Sequence, residues 1–177
     1  SEYPRPHFVR NQWQTLNGPW FFAFDDRDEG IVQEWCRNPL PNGVQIEVPF
    51  CYQSPYSGVN IQEVHEIVWY QREFTLPPEW EGKGILLHFG AVDYHAIVWI
   101  NGHLAGENKG GYASFTLDIA PFLCSGANTI TVRVVDRPLT SQPRGKQKAR
   151  YENFGCWYTP VTGIWQSVWL EAVGGTY

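Results

Sequence analysis

The strongest constraint on how this chain folds is the alternation of apolar and polar residues along most of its length. A strand turns successive side chains to opposite faces, so a period of two marks a sheet with one buried side. In VQIEV, residues 44–48, Val44, Ile46 and Val48 share a face against Gln45 and Glu47. FTLDI, residues 115–119, sets Phe115, Leu117 and Ile119 inward and Thr116 and Asp118 outward. TITVRVVD, residues 129–136, sets Ile130, Val132 and Val134 against Thr131 and Arg133. The last run alternates Ile164, Val168 and Leu170 with Trp165, Ser167, Trp169 and Glu171, and Gln166 breaks its apolar face. Further strands are predicted over residues 20–24, 68–74, 85–89 and 95–100. Asn101-Gly102 between two such runs signals a hairpin, because both central residues of a type I′ turn need positive φ. Helical periodicity is weak. IVQEWCR (31–37) and PPEWEGK (77–83) predict a turn or two each, with Pro77 and Pro78 suited to a first helical turn. About eight strands joined by turn-rich segments predict an all-β fold, an eight-stranded jelly-roll β-sandwich.

Composition narrows the functional classes. A chain of 177 residues favours one domain over residues 1–177. Its net charge of -5 and the absence of a basic block argue against a nucleic-acid partner. No apolar run approaches the roughly 20 residues a spanning helix needs, so no membrane partner is read. Nine Trp, nine Tyr and ten Phe suit both a thick sandwich core and stacking on a ligand face. Cys36, Cys51, Cys124 and Cys156 are scattered without C-x-x-C spacing; they read as free, mostly buried thiols and not as a zinc site. DDRDEG at residues 25–30 lacks the alternation and closing Glu of a calcium loop, and reads as an acidic turn leading into a short helix. No metal and no cofactor is implied. The carboxylates Glu63, Glu66, Asp93, Asp118, Asp136 and Glu152 read as solvated groups, and no serine-nucleophile motif is present. The chain is therefore expected to carry no catalytic residues of its own. It opens on SEYPRPHF without an initiator Met or a leader-like segment, and closes on EAVGGTY straight after a strand-like run. These ends predict a piece of a longer protein; whether its compartment is cytoplasmic or periplasmic stays open.

One long segment resists assignment. Residues 138–158, PLTSQPRGKQKARYENFGCWY, are polar and rich in turn formers between two strands. They carry Arg144, Lys146, Lys148, Arg150 and Tyr151, donors and an aromatic suited to a polyol, although a surface loop without a ligand fits equally. The aromatic stretch that follows, WYTPVTGIWQSVWLEAV, divides in two. Trp165 and Trp169 read as packing residues of the last strand, as do Trp20, Trp69 and Trp99 elsewhere, whereas Trp157 falls in the loop.

Six segments in order resemble one known family: LNGPWFFAFD (16–25), VPFCYQSP (48–55), VWYQREFTLP (68–77), residues 87–119, GANTITVRVVD (126–136) and TGIWQSVWLE (162–171). Together they resemble the N-terminal domain of glycoside hydrolase family 2, which includes β-galactosidases, β-glucuronidases and β-mannosidases. The resemblance implies a galactose-binding-domain-like jelly roll, followed in the parent chain by an immunoglobulin-like domain and a (β/α)₈ barrel that bears two catalytic glutamates. It implies a carbohydrate substrate, most of all that of a β-galactosidase, and leaves a homo-oligomer open. It also implies that loops of this domain lean over the barrel mouth. Where relatives place an Asp before the Gly-Ile of the last strand, this sequence has Trp157, a stacking surface in place of a charged acceptor. A second contact, just before the WY strand, falls near His65 or Glu66. The candidate substrate-binding set is thus Trp157, Arg144, Lys146, Gln147, His65 and Glu66. Two alternatives remain: an independent carbohydrate-binding module, and a purely structural or oligomerisation domain.

Overall fold

The computed structural model describes residues 2–137, 140–148 and 155–174. Among them are twelve strands: β1 (Trp13–Thr15), β2 (Gly18–Phe24), β3 (Val44–Val48), β4 (Ile67–Thr75), β5 (Gly84–Phe89), β6 (Val92–Asp93), β7 (His95–Ile100), β8 (His103–Lys109), β9 (Phe115–Asp118), β10 (Ala127–Val135), β11 (Gly163–Ile164) and β12 (Val168–Val173). They form a six-stranded sheet in the order β3-β2-β4-β10-β7-β8, a four-stranded sheet β1-β12-β5-β9, and a two-stranded ribbon β11-β6, all antiparallel. The all-β jelly-roll sandwich is as read from the sequence. The count of eight is corrected, because β1, β6 and β11 are too short to show a period and β8, on the sheet edge, has no buried face to reveal one. Asn101 and Gly102 both have positive φ, 51° and 77°, as the β7–β8 hairpin demands.

The core lies between the two large sheets. Phe22, Ile46, Val68, Tyr70, Val98, Val132 and Val134 of one meet Ile85, Leu87, Phe89, Val168 and Leu170 of the other. Alternation misjudges the opposite faces, which it assigns to solvent. Thr131 and Arg133 on the outer face of β10 are buried. The segment between β2 and β3 folds over that face and brings Trp35 onto Trp69, which stacks on Trp99 with centroids 5.5 Å apart. Trp69 and Trp99 thus belong to a second apolar cluster outside the sandwich, while Trp20 sits in the main core. Burying rings of this size contributes roughly 4–6 kcal/mol each before the loss of conformational freedom.

Asp25 anchors the covering segment. Its carboxylate accepts the Glu29 and Gly30 amides at 2.8 and 3.0 Å and the Trp69 indole N–H at 2.9 Å. DDRDEG is a turn built on that residue, but IVQEWCR beyond it forms successive turns and no helix, since Glu34 has φ of 53°. Of PPEWEGK, only Pro78–Trp80 forms a 3₁₀ turn.

The outer face of the four-stranded sheet is covered as well. Trp169 and Glu171 of β12 and His88 of β5 are buried under the N-terminal residues. Tyr3 donates to Glu171 and meets Trp169 edge-on, and Arg5 lies over the same indole. The closing run is therefore not one strand. Gly163–Ile164 pairs with β6, and the chain bends through Trp165–Ser167 before β12 joins the other sheet. The four cysteines are free, but none is buried: Cys36 and Cys51 are half-buried, Cys124 and Cys156 exposed, because none occupies an inward strand position. Among the described residues no helix is long and apolar enough to cross a membrane.

Candidate functional site

Strand register gathers the sequence-selected residues at one end of the sandwich. His65 and Glu66 precede β4, whose Ile67 lies opposite Val135 at the end of β10, and Val135 also lies opposite His95 at the start of β7. Asp136 and Asp93 therefore emerge beside the same edge. The described residues 140–148 and 155–162 lie at this end, ahead of β11, where Gly163 pairs with Asp93.

Gln147 organises these residues. Its amide N–H groups donate to Asp93 Oδ2 at 2.6 Å and to the Tyr112 hydroxyl at 3.1 Å, and its Oε1 accepts the Val161 amide at 2.6 Å. Tyr112 in turn donates to the Arg144 carbonyl at 2.7 Å. A parallel bridge joins Gln147 to Tyr158, with the Tyr158 amide on the Lys146 carbonyl at 2.9 Å and the Lys148 amide on the Tyr158 carbonyl at 2.8 Å. The two limbs of the loop thus lie together, and Lys146 and Trp157 flank the bridge. Beside it is a cleft of about 220 Å³ lined by Asp93, Tyr112, Lys146, Gln147, Tyr158, Thr159, Val161 and Trp165. Three aromatic rings and one ammonium make a surface suited to the apolar face and hydroxyls of a sugar.

The remaining candidates stand apart from this cleft. Arg144 donates back to the Thr140 carbonyl of its own loop. His65 stacks on Phe24 at 3.7 Å and bonds Asp26 through Nδ1 at 2.7 Å. Glu66 pairs with Arg137 at 3.4 Å. Trp157 is 40% exposed, the most open of the Trp side chains that flank this end. Arg150 and Tyr151, and the acid Glu152, lie outside the described residues.

Two acids assigned to solvent are buried here. Asp93 is 2% exposed, and burial pushes its carboxyl up to about 6, against the hydrogen bond from Gln147. Asp136 is raised as well, chiefly by burial, while its oxygens accept Gln142 and Thr162 at 2.5 and 2.6 Å. Both carboxylates hold loop segments in place. Among the described residues no group of three His, Cys, Asp or Glu side chains forms a metal centre.

Tyr112 and Trp165 were not selected from the sequence. Trp165 reads as a strand residue, yet β11 stops at Ile164, so the indole projects beyond the sheet and donates to the Gly111 carbonyl at 2.7 Å. The available signal was Gly110-Gly111: a Cβ at Gly111 would sit 2.6 Å from Asp93 Cγ, so only glycine lets the backbone approach this close. A larger groove of about 730 Å³ crosses the outer face of the six-stranded sheet near Arg37, Gln71 and Asn101 and contains none of the candidate residues.

Comparison with known proteins gives a consistent family. A family model described as "Glycosyl hydrolases family 2, sugar binding domain" matches residues 13–172. A β-glucuronidase of Paenibacillus borealis is 29% identical over 148 residues, covering 82% of this chain and 25% of the relative. A β-galactosidase of Thermoanaerobacter pseudethanolicus is 30% identical over 166 residues, covering 93% of this chain and 20% of the relative. The solved β-glucuronidase from Ruminococcus gnavus in complex with D-glucaro-d-lactam superposes with a TM-score of 0.76 at 28% identity, over 97% of this chain and 31% of that one. The chain thus spans about a quarter of the length of the first of these relatives.

Proposed function

Because the chain belongs to glycosyl hydrolase family 2, as its sugar binding domain, we propose that it is the non-catalytic N-terminal part of a longer retaining exo-β-glycosidase, in which its rim cleft faces the bound sugar. The observation that carries this reading is the convergence of Lys146, Tyr112, Tyr158 and Trp165 on the cleft beside the Gln147 bridge at one end of the sandwich. In this reading the two carboxyl groups that cleave the glycosidic bond belong to a barrel elsewhere in the parent protein, beyond an immunoglobulin-like domain. The rim supplies a stacking face and a cation at the edge of the sugar site, with Arg144, through the Thr140 carbonyl, and Glu66, through Arg137, bracing the loop that bears them.

The sequence reading favours a β-galactoside as substrate. The β-glucuronidases among the relatives favour a β-glucuronide. Lys146 in the cleft supports the second, since an ammonium there suits a uronate carboxylate better than a neutral C6 hydroxyl. The full-length protein assayed on 4-nitrophenyl β-D-glucuronide and β-D-galactoside is expected to show the higher kcat/KM on the glucuronide; the reverse order restores the galactosidase reading. The aromatic lining also favours a second reading, a stand-alone carbohydrate-binding module, which requires the isolated chain to bind a sugar in calorimetry.

A further inference from the structure

We infer that Asp93 and Gln147 form a buried latch that positions the rim loop, so that a pair engaged with each other sets the shape of the cleft offered to sugar. The inference rests on the rim reading above for its consequence in catalysis, and on geometry alone for the latch itself. Among the described residues, the Gln147 side chain joins three separate parts of the chain: β6 through Asp93, the segment after β8 through Tyr112, and the returning limb through the Val161 amide. Both of its amide hydrogens and its carbonyl oxygen are engaged, so it acts through the loop and not as a ligand to sugar. Asp93 is the fixed end. Its backbone is paired to Gly163, and Gly111 lies against its carboxyl too closely for any other residue. An ionised carboxylate holds an amide donor roughly twice as strongly as a neutral group does, so the latch is firm only while Asp93 is charged.

The charged and titratable groups around Asp93 are Asp136 at the end of β10, Arg144 and Lys146 on the outgoing limb, Tyr112 after β8, and Tyr158 on the returning limb. Burial first, and the charge of Asp136 in addition, push the Asp93 carboxyl up to about 6, opposed by Gln147 and Arg144. Acidification through that value neutralises the carboxylate and weakens its hold on Gln147. Asp93 and Gln147 are positioning residues: they would alter KM through the loop, and their pH signature separates that role from simple support of the fold.

Hydrogen exchange at the Val161 amide reads the latch directly, and KM against pH in the full-length protein reads its consequence. Asp93→Asn removes a buried charge, so it leaves the fold intact while weakening the bond to Gln147. Exchange at Val161 is expected to rise about tenfold at neutral pH, and the acidic rise in KM that the latch predicts for the wild type near pH 6 is expected to disappear into a uniformly raised KM. Gln147→Glu provides an inverted control. At neutral pH its carboxylate opposes that of Asp93 and opens the latch, whereas at acid pH a shared proton closes it, so the protection factor at Val161, which removes the intrinsic slowing of exchange in acid, should rise on acidification. Unchanged Val161 exchange in Asp93→Asn, or no inversion in Gln147→Glu, overturns the latch. If both variants alter exchange and Lys146→Ala raises KM while Asp93→Asn leaves KM alone, the positioning role is overturned. If none of the three alters KM, the rim reading fails and the latch stands on exchange alone.

Discussion

Replacing Gly163 with Ala tests how tightly the rim is seated on the sandwich. Gly163 opens β11, pairs with Asp93, and has φ of 96°. An added Cβ would fall inside the Tyr70 hydroxyl, 2.9 Å from Cζ and 3.1 Å from Cε2. Tyr70 is fully buried and its hydroxyl accepts the Ile164 amide at 3.3 Å, so neither partner can yield without loss. Positive φ costs an L-residue about 1–2 kcal/mol. Overpacking adds roughly 1–3 kcal/mol, and displacing the Tyr70 hydroxyl from Ile164 about 1 kcal/mol more. Together these predict a loss of about 3–6 kcal/mol, a large part of the ~5–15 kcal/mol typical of a domain. For a chain this long, that corresponds to a fall in Tm of about 6–24 °C. Tyr70→Phe alone is expected to cost about 1–3 kcal/mol by orphaning Ile164. In the double variant the hydroxyl is gone and the penalties overlap, so its loss should fall short of the sum by about 1 kcal/mol or more. Urea denaturation of the four proteins measures the cycle. A Gly163→Ala variant within about 0.5 kcal/mol of the wild type, or a strictly additive cycle, refutes the reasoning.

Other perturbations follow from the same contacts. Asp93 has a folded pKa near 6 against an ordinary 3.8; its contribution to stability is therefore complete below pH 3.8 and lost as pH rises through 6. Asp93→Asn should flatten that slope and gain at most about 3 kcal/mol over wild type at neutral pH, measured as urea midpoints across the range. Asp25→Ala orphans two backbone amides and the Trp69 indole, with an expected cost of about 3–5 kcal/mol in the same assay. Glu171 is held below its ordinary pKa because hydrogen bonds from Tyr3 and Trp169, with the charges of His88 and Arg10, outweigh the upward push of burial. Glu171→Gln should release the N-terminal residues to limited proteolysis. Burial lowers the pKa of His88, so its contribution to stability is present above pH 6.5 and declines as pH falls through the lowered value.

The sandwich was legible because its central strands bury one face and alternate cleanly, as in β3, β7 and β10. What escaped was the second layer on each sheet. Arg133 and Glu171 look like solvent-facing residues in their strands, and only the folded chain lays residues 25–40 over the first and Tyr3 over the second. The rim was half legible. Lys146 and Trp157 stood out by residue type within a polar loop, and the bridge between Gln147 and Tyr158 does bring their neighbourhoods together. Asp93 reads as a solvated acid because a lone Asp at a strand start carries no periodic signal of burial. Its partner lies 54 positions away, a separation that local pattern cannot detect.

The central claim, that this end of the sandwich faces sugar in the parent glycosidase, is tested most directly by kcat/KM of the full-length protein with Lys146→Ala and Trp157→Ala, measured on the better of the two glycosides. Each substitution is expected to lower kcat/KM about tenfold or more, equivalent to ~1.4 kcal/mol of transition-state binding, while leaving the thermal midpoint unchanged. Values within about twofold of wild type for both variants would contradict the claim and leave the domain a structural support.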